Sequence, residues 1–431
     1  MTALPLLINM KMLGCKMLAK QALPRIANGK HEFLGGSGMN DLVYLVYPIM
    51  IILLLWGSKL CGRGVWNEEA FSLRQMKALQ GFFAICIMLH HIGQKTCASW
   101  LDPKLIEPGL ELFVPYGYYF VGFFLFCSGY GLYQSYRTKP DYLTGFCKRR
   151  ILPLVLSYYS TGLLFLLARF LMKEQLDGLK IFYYVSGLKL SNPNAWFVIA
   201  LPFFYLAFYL AFRHCKSEKN AVISVLAFTL GYDLLGTLID HNDFWMRGEW
   251  WYNSVHFFVI GILFARHKEA ITAHLKKHYL LYFMLFFVGL FVLDALSNMA
   301  QGTFSYYGEN WHAPDKVFRR WVCLLSQILA SCSFVFFVFL LGMKVLIGNR
   351  FLAFMGTITL EFYLIHGLFL ELFAYNFAGV VPSLYHLRNV PLLILIVFLP
   401  SLPAALLLKK WDHFLADLLC GKRKHRTEQK G

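Results

Sequence analysis

An all-α, polytopic transmembrane helical bundle of about eleven spans is the fold class this sequence predicts, and three observations predict it. The first is composition: 58% of the 431 residues are hydrophobic, 15% are charged and the mean hydropathy is +0.52, whereas a soluble domain carries about 25% charged residues. The second is the gathering of apolar residues into runs of roughly twenty, the length needed to cross a hydrocarbon core about 30 Å thick. The third is the shortness of the polar loops between the runs. Lipid offers the backbone no partner, so each run must satisfy its own N–H and C=O groups as a helix.

In chain order the runs fall near 42–56, 78–92, 118–136, 151–171 and 195–212, then 221–239, 251–265, 279–296, 321–343, 353–378 and 390–408. The second and seventh are short, and Pro202 and Pro400 interrupt two others. The first run, within 39–60, reads as an extra N-terminal helix, the next ten as a core over 72–410, and 411–431 as a basic tail. Residues 1–38 read as an N-terminal extension or a start-site artefact, with translation beginning at Met39. They make a poor signal peptide, because Lys11 interrupts the apolar stretch and no basic segment precedes it. No internal repeat, low-complexity tract or soluble domain stands out, so function is to be sought within the bundle.

A net charge of +17 would suggest nucleic acid in a soluble chain. Here the basic residues sit mainly in loops, where they record topology, and no nucleic-acid partner is expected. One alternate set of loops (59–77, 137–150, 213–219, 266–277, 344–350 and the tail from Lys409) holds 25 of the 41 Lys and Arg, against 11 in the opposite set. Cytoplasmic loops collect these residues. The reading is therefore a multi-pass cell-membrane protein with a cytoplasmic C-terminus and external loops near 245–251 and 298–320. Lys11, Lys16, Lys20, Arg25 and Lys30 break the rule by falling on the expected outer side. The ten cysteines form no CxxC pair and no Cys/His spacing, so neither a metal centre nor a disulfide framework is expected.

An ionisable side chain near mid-membrane costs at least about 2.5 kcal/mol on insertion scales, so those retained usually face a cavity or a partner. They are His90, His91, Asp233, His256, Asp294, Glu361, His366 and Glu371. Interhelical hydrogen bonding is the competing reading for each. In the second run, Gln80 and His91 are eleven residues apart, about 20° after whole turns, and share one face with Lys77 close to the same stripe. That face joins a polar anchor at the cytoplasmic end to a histidine about 21 Å away.

Here the chain resembles the membrane-bound acyltransferase family 3, whose first core helix carries Arg or Lys, ten intervening residues and His. The likeness continues through Gly122-Phe123-Phe124-Leu125-Phe126-Cys127-Ser128-Gly129-Tyr130 and Lys148-Arg149-Arg150-Ile151-Leu152-Pro153. It extends to Trp196-Phe197, to His256-Phe257-Phe258-Val259-Ile260-Gly261 and to Leu360-Glu361-Phe362-Tyr363-Leu364-Ile365-His366. Two positions depart from the pattern. Gln80 stands where the family has a cation, with Lys77 one turn away to substitute, and Leu201 stands where many members carry Glu.

The resemblance implies an acyltransferase that moves a group other than aminoacyl, with acetyl-CoA or another acyl-CoA as donor substrate and no bound cofactor. Its acceptor would be a hydroxyl or amine of a carbohydrate or cell-envelope molecule, as in O-acetylation. His91 is the expected general base, since imidazole is best matched to taking a hydroxyl proton near neutral pH. Arg149, Arg150 and Lys77, with Gln80 beside them, are expected to hold the donor's phosphates. Glu361 and His366 complete the catalytic set, although five residues place them about 140° apart on one helix. Trp100, Trp245, Trp250, Trp251 and Trp311 could stack on sugar rings or form an interfacial aromatic belt. The alternative class is a carrier or flippase for an envelope precursor or solute, or a membrane scaffold or sensor. A carrier would show two similar halves or paired broken helices, and neither is clear here.

Overall fold

The computed structural model describes residues 40–241, 244–304, 314–375 and 384–420. The expected extension or start-site artefact at 1–38, Trp311, and the tail beyond Cys420 lie outside them. Each of the eleven apolar runs contains a helix. A turn of tight helix at Asp41–Leu45 leads into α1 (Val46–Leu55), followed by α2 (Leu73–Thr96), α3 (Gly117–Thr138), α4 (Leu152–Leu171) and the short α5 (Gly178–Ser186). Then come α6 (Trp196–His214), α7 (Glu218–Leu238), α8 (His256–Arg266), the polar α9 (Lys268–Lys277) and α10 (Tyr279–Phe304). The chain finishes with α11 (Lys316–Gly342), α12 (Arg350–Met355), α13 (Thr359–Phe373) and α14 (Val390–Leu419). Among the described residues, a two-residue antiparallel pair, β1 (Lys59–Leu60) with β2 (Val345–Leu346), and an isolated bridge between Ala374 and Leu387 depart from the all-helical pattern.

Eight helical segments among the described residues are long and apolar enough to cross a membrane: those ending at Thr96, Thr138, Leu171, His214, Leu238, Phe304, Gly342 and Leu419. The expected eleven therefore divide into eight of full length and three shorter ones, and the reasons are local. The tenth run breaks at Gly356–Ile358 into α12 and α13. The seventh keeps only the eleven residues of α8, because a single tight helical turn at Glu249–Trp251 and the buried irregular chain at 252–255 precede it. The first gives the ten residues of α1 after its tight turn. By contrast, the second run is longer than its apolar stretch, since Ser72 caps α2 by accepting the Gln75 N–H at 3.2 Å. The helix of the eleventh run also continues past 410 into the expected tail.

Helix α2 occupies the centre, with α3, α12 and α13 against it, while α10 packs on α11 at the periphery and buries only Ser297. Small residues set the closest approaches. A Cβ on Gly129 of α3 would run into the Phe258 carbonyl of α8, and one on Gly261 of α8 into the Phe126 carbonyl of α3. Without a hydrophobic drive between helices in lipid, such backbone contact is what packs them. The α2–α12 junction repeats the device, Gly81 meeting the Leu352 carbonyl and Gly356 the Lys77 carbonyl.

Candidate active site

Adjacent positions on α2 send His90 and His91 to different neighbours. Nδ1 of His90 lies 3.0 Å from the Phe113 carbonyl, and its ring fills the space where a side chain on Gly117 would go. Nδ1 of His91 lies 2.8 Å from Nε2 of His366 on α13, with the two rings near-parallel and their centroids 5.0 Å apart. On the far side of His366, Nδ1 lies 2.9 Å from the Phe362 carbonyl.

That carbonyl fixes the protons along the chain. It can only accept, so His366 carries its hydrogen on Nδ1, and Nε2 of the neutral ring holds a lone pair. His366 then accepts the Nδ1–H of His91. This leaves the lone pair of His91 on Nε2, the nitrogen turned away from the partner.

Tyr363 and the 191–195 segment hold this pair. The Tyr363 ring centroid is 6.1 Å from those of both His91 and His366, and its hydroxyl donates to the Asn194 carbonyl at 2.5 Å. Asn192 donates to the Leu364 carbonyl at 3.0 Å, while its own carbonyl oxygen accepts the Asn194 N–H. The sequence reading missed Tyr363, Asn192 and Asn194. The available signal was the Asn192-Pro193-Asn194 turn directly before Trp196.

Beyond the histidines lies a buried ionic group. Arg169 donates to Glu174 and to the Ser191 carbonyl, both at 2.9 Å, and stands 3.7 Å from Glu371. Lys180 and the Tyr184 hydroxyl complete the shell of Glu174 at 2.7 and 3.0 Å. Burial pushes the Glu174 carboxyl up, but hydrogen bonds from Lys180 and Arg169 and the guanidinium charge outweigh it and hold the carboxyl below its ordinary value. Lys95, one turn after His91, has Glu371 and Arg169 as charged neighbours.

The opposite end of α2 carries the basic residues. A wide turn at Cys147–Ile151, set before Pro153, presents Arg149 and Arg150 together; such turns inside helices are frequent at functional sites. Arg149 donates to the Tyr142 carbonyl at 2.5 Å and Arg150 to the Tyr142 hydroxyl at 2.9 Å. With Lys139 and Pro140 these residues line a cavity of about 380 Å³. Lys77 has Cys127, Lys409, Glu361 and Arg150 as charged or polar neighbours, and Gln80 is half-buried one turn further along α2.

Glu361 therefore belongs to the Lys77 end, among Lys409, Asp412 and His413, and not to the histidine pair. The structure brings His91 and His366 together and groups Lys77, Arg150 and Glu361 separately. Lys77 and His91 are fourteen residues apart on one helix, about 21 Å.

Of the remaining membrane-embedded acids and histidines, Asp294 is a packing group, accepting from Tyr119 at 2.8 Å and Asn298 at 3.1 Å. Asp233 and His256 are buried, and Oδ1 of the one and both ring nitrogens of the other lack a hydrogen-bond partner among the described residues. No group of three or more His, Cys, Asp or Glu among the described residues is arranged to hold a metal ion.

Eight apolar helices around a buried polar interior define a multi-pass membrane protein. A family model described as an acyltransferase domain, that of the acyltransferase 3 family, matches residues 73–410, and the chain belongs to this family. The match begins at the first residue of α2 and ends within α14, so α1 lies outside it. No curated protein and no solved structure matches the chain.

Proposed function

We propose that this membrane acyltransferase moves an acyl group, acetyl in the simplest case, from acyl-CoA to a hydroxyl or amine of a carbohydrate or cell-envelope acceptor. The observation that carries the reading is the hydrogen-bonded series from the Phe362 carbonyl through His366 to His91. It leaves a neutral imidazole with its lone pair on Nε2, the form a general base must have before it takes a proton. In this reading the acceptor oxygen or nitrogen attacks the thioester carbonyl as His91 Nε2 removes its proton, and the CoA thiolate leaves.

The donor is assigned to the basic end. Arg149 and Arg150 offer planar forks suited to phosphate oxygens, on a turn that already orients them, and Lys77 stands further in. Donor phosphates held there leave about 21 Å of helix to be covered before His91, which the extended thiol-bearing arm of CoA is suited to cover. By the loop charge bias this end faces the cytoplasm, where acyl-CoA is made, and the histidine end faces outward. Glu361 serves in this scheme as a counter-charge beside Lys77, a role in donor binding rather than at the reacting bond.

The test is direct. Purified protein given acyl-CoA and candidate glycans should release CoA thiol and add the acyl mass to the glycan, and His91→Ala should do neither while remaining folded. Comparing the masses of envelope glycans and small metabolites from cells with and without the protein would name the acceptor. Solute uptake into vesicles with no consumption of acyl-CoA would replace this reading with the carrier.

A further inference from the structure

A second cationic cavity opens at the same end of α2, on a different wall from the Arg149–Arg150 turn. It measures about 210 Å³ and is lined by Arg74, Ala78, Ile347, Gly348, Asn349, Arg350 and Ala353. Both arginines are exposed, and neither has an ion pair or hydrogen bond among the described residues. Two cations brought to one hollow without an acidic partner repel each other, and an anion between them removes that cost.

The walls are built and fixed. The Gln75 side chain donates to the Val345 carbonyl at 2.9 Å and accepts the Ile347 N–H at 3.0 Å, tying α2 to the chain leading into α12. Asn349 donates to the Leu53 carbonyl at 2.7 Å, and Gly57 packs backbone to backbone on Gly348, so the end of α1 braces the Gly348–Asn349 wall from behind.

The surroundings are apolar. Trp56, next to Gly57, is 72% exposed, and Leu73, next to Arg74, is 77% exposed. A tryptophan open to its surroundings at the end of a membrane helix marks the headgroup level. Arginines beside it are placed to meet the phosphates of lipids, and the exposed Trp56 and Leu73 offer apolar surface for acyl chains.

We propose that the Arg74–Arg350 cavity holds the phosphodiester headgroup of an anionic membrane lipid, the two guanidinium forks taking its oxygens and Trp56 and Leu73 lying along its acyl chains. The lipid would sit against the α2–α12 junction, where Gly356 meets the Lys77 backbone. That junction positions α2, which carries His91, and through the Gly356–Ile358 link α13, which carries His366. A bound lipid would therefore stiffen the two helices of the histidine pair from about 25 Å away, the rise from Arg74 to His91.

The experiment uses the full chain in an uncharged detergent with short-chain phosphatidylglycerol and phosphatidylcholine, read by native mass spectrometry and by the thermal unfolding midpoint. The expected result is one tightly retained phosphatidylglycerol and a raised midpoint, with affinity about tenfold lower in either Arg74→Gln or Arg350→Gln. Arg63→Gln, which removes the same charge from the neighbouring loop, should retain the lipid. Equal loss in Arg63→Gln, or equal retention of phosphatidylcholine, would overturn the site. If either variant does not fold, competition on the unsubstituted chain decides. Phosphatidylglycerol left in place by millimolar inorganic phosphate or adenosine 3′,5′-bisphosphate supports a lipid, and its displacement by either would assign the cavity to a soluble phosphate instead.

Discussion

Replacing His366 with Phe keeps a ring of similar size at a fully buried position while deleting the nitrogen that accepts the His91 Nδ1–H. Without that acceptor, His91 is free to carry its proton on Nε2, the tautomer that cannot act as base toward the acceptor. The net worth of one such hydrogen bond is about 0.5–1.5 kcal/mol, which at about 1.36 kcal/mol per decade is a fall of roughly 2- to 13-fold in turnover. Loss of the base itself in His91→Ala should cost about 10²- to 10⁴-fold. His366→Gln, whose amide oxygen can reach the place of Nε2, should recover most of the activity. The assay is CoA thiol release under saturating donor, with donor affinity measured separately. Because His366 acts through His91, the double variant His91→Ala/His366→Phe should be no slower than His91→Ala alone. Additive losses in the double variant, or a deeper loss in His366→Phe than in His91→Ala, would refute the proton assignment along this chain.

His90→Ala should leave turnover within a few-fold of normal and lower the unfolding midpoint, since it removes the contact with the Phe113 carbonyl and the filling against Gly117; thermal unfolding run beside the turnover assay separates the two. Arg150→Ala should weaken acyl-CoA binding by about 1.5–3 kcal/mol with the fold intact, as titration of the purified protein would report; an unchanged affinity would return Arg150 to a purely topological role. Glu174→Gln should destabilise by about 1–3 kcal/mol at neutral pH through the unpaired Arg169 and Lys180. Its folded carboxyl is held below the ordinary value, so this contribution is complete above that value and disappears as pH falls through the folded pKa. Variant and parent should therefore converge only in acid, and a gap that persists there would show that packing, not charge, is lost. Gly129→Ala should cost about 1–3 kcal/mol by overpacking α3 against the Phe258 carbonyl, visible as a lower unfolding midpoint.

Run length and hydropathy made the helices legible in the sequence, and the spacing of Gln80 and His91 chose the histidine that meets His366. They did not reveal that the tenth run breaks at Gly356–Ile358, where Gly356 also packs on the Lys77 backbone, because a single Gly is tolerated inside many helices. Helical angle correctly parted Glu361 from His366, but which of the two would face His91 depends on how α13 is turned against α2. That is a tertiary fact. Tyr363, Asn192 and Asn194 escaped for the same reason: a tyrosine in an apolar helix and a polar turn before Trp196 look ordinary until the fold brings them to one histidine.

Two helices inside the bundle are shorter than the hydrocarbon core is thick. α8 rises about 17 Å and α13 about 23 Å, against about 30 Å of hydrocarbon, and both are largely enclosed by other helices. Irregular chain within a membrane survives only where protein or water surrounds it, and Tyr252 through Val255, with no exposed surface, meets that condition. Beside the full-length α2, the two faces are thus kept apart by these shorter helices and the buried chain before α8, and not by lipid. In the reaction proposed above, a donor arm from one side and an acceptor from the other would meet beside these shorter elements, within protein rather than lipid.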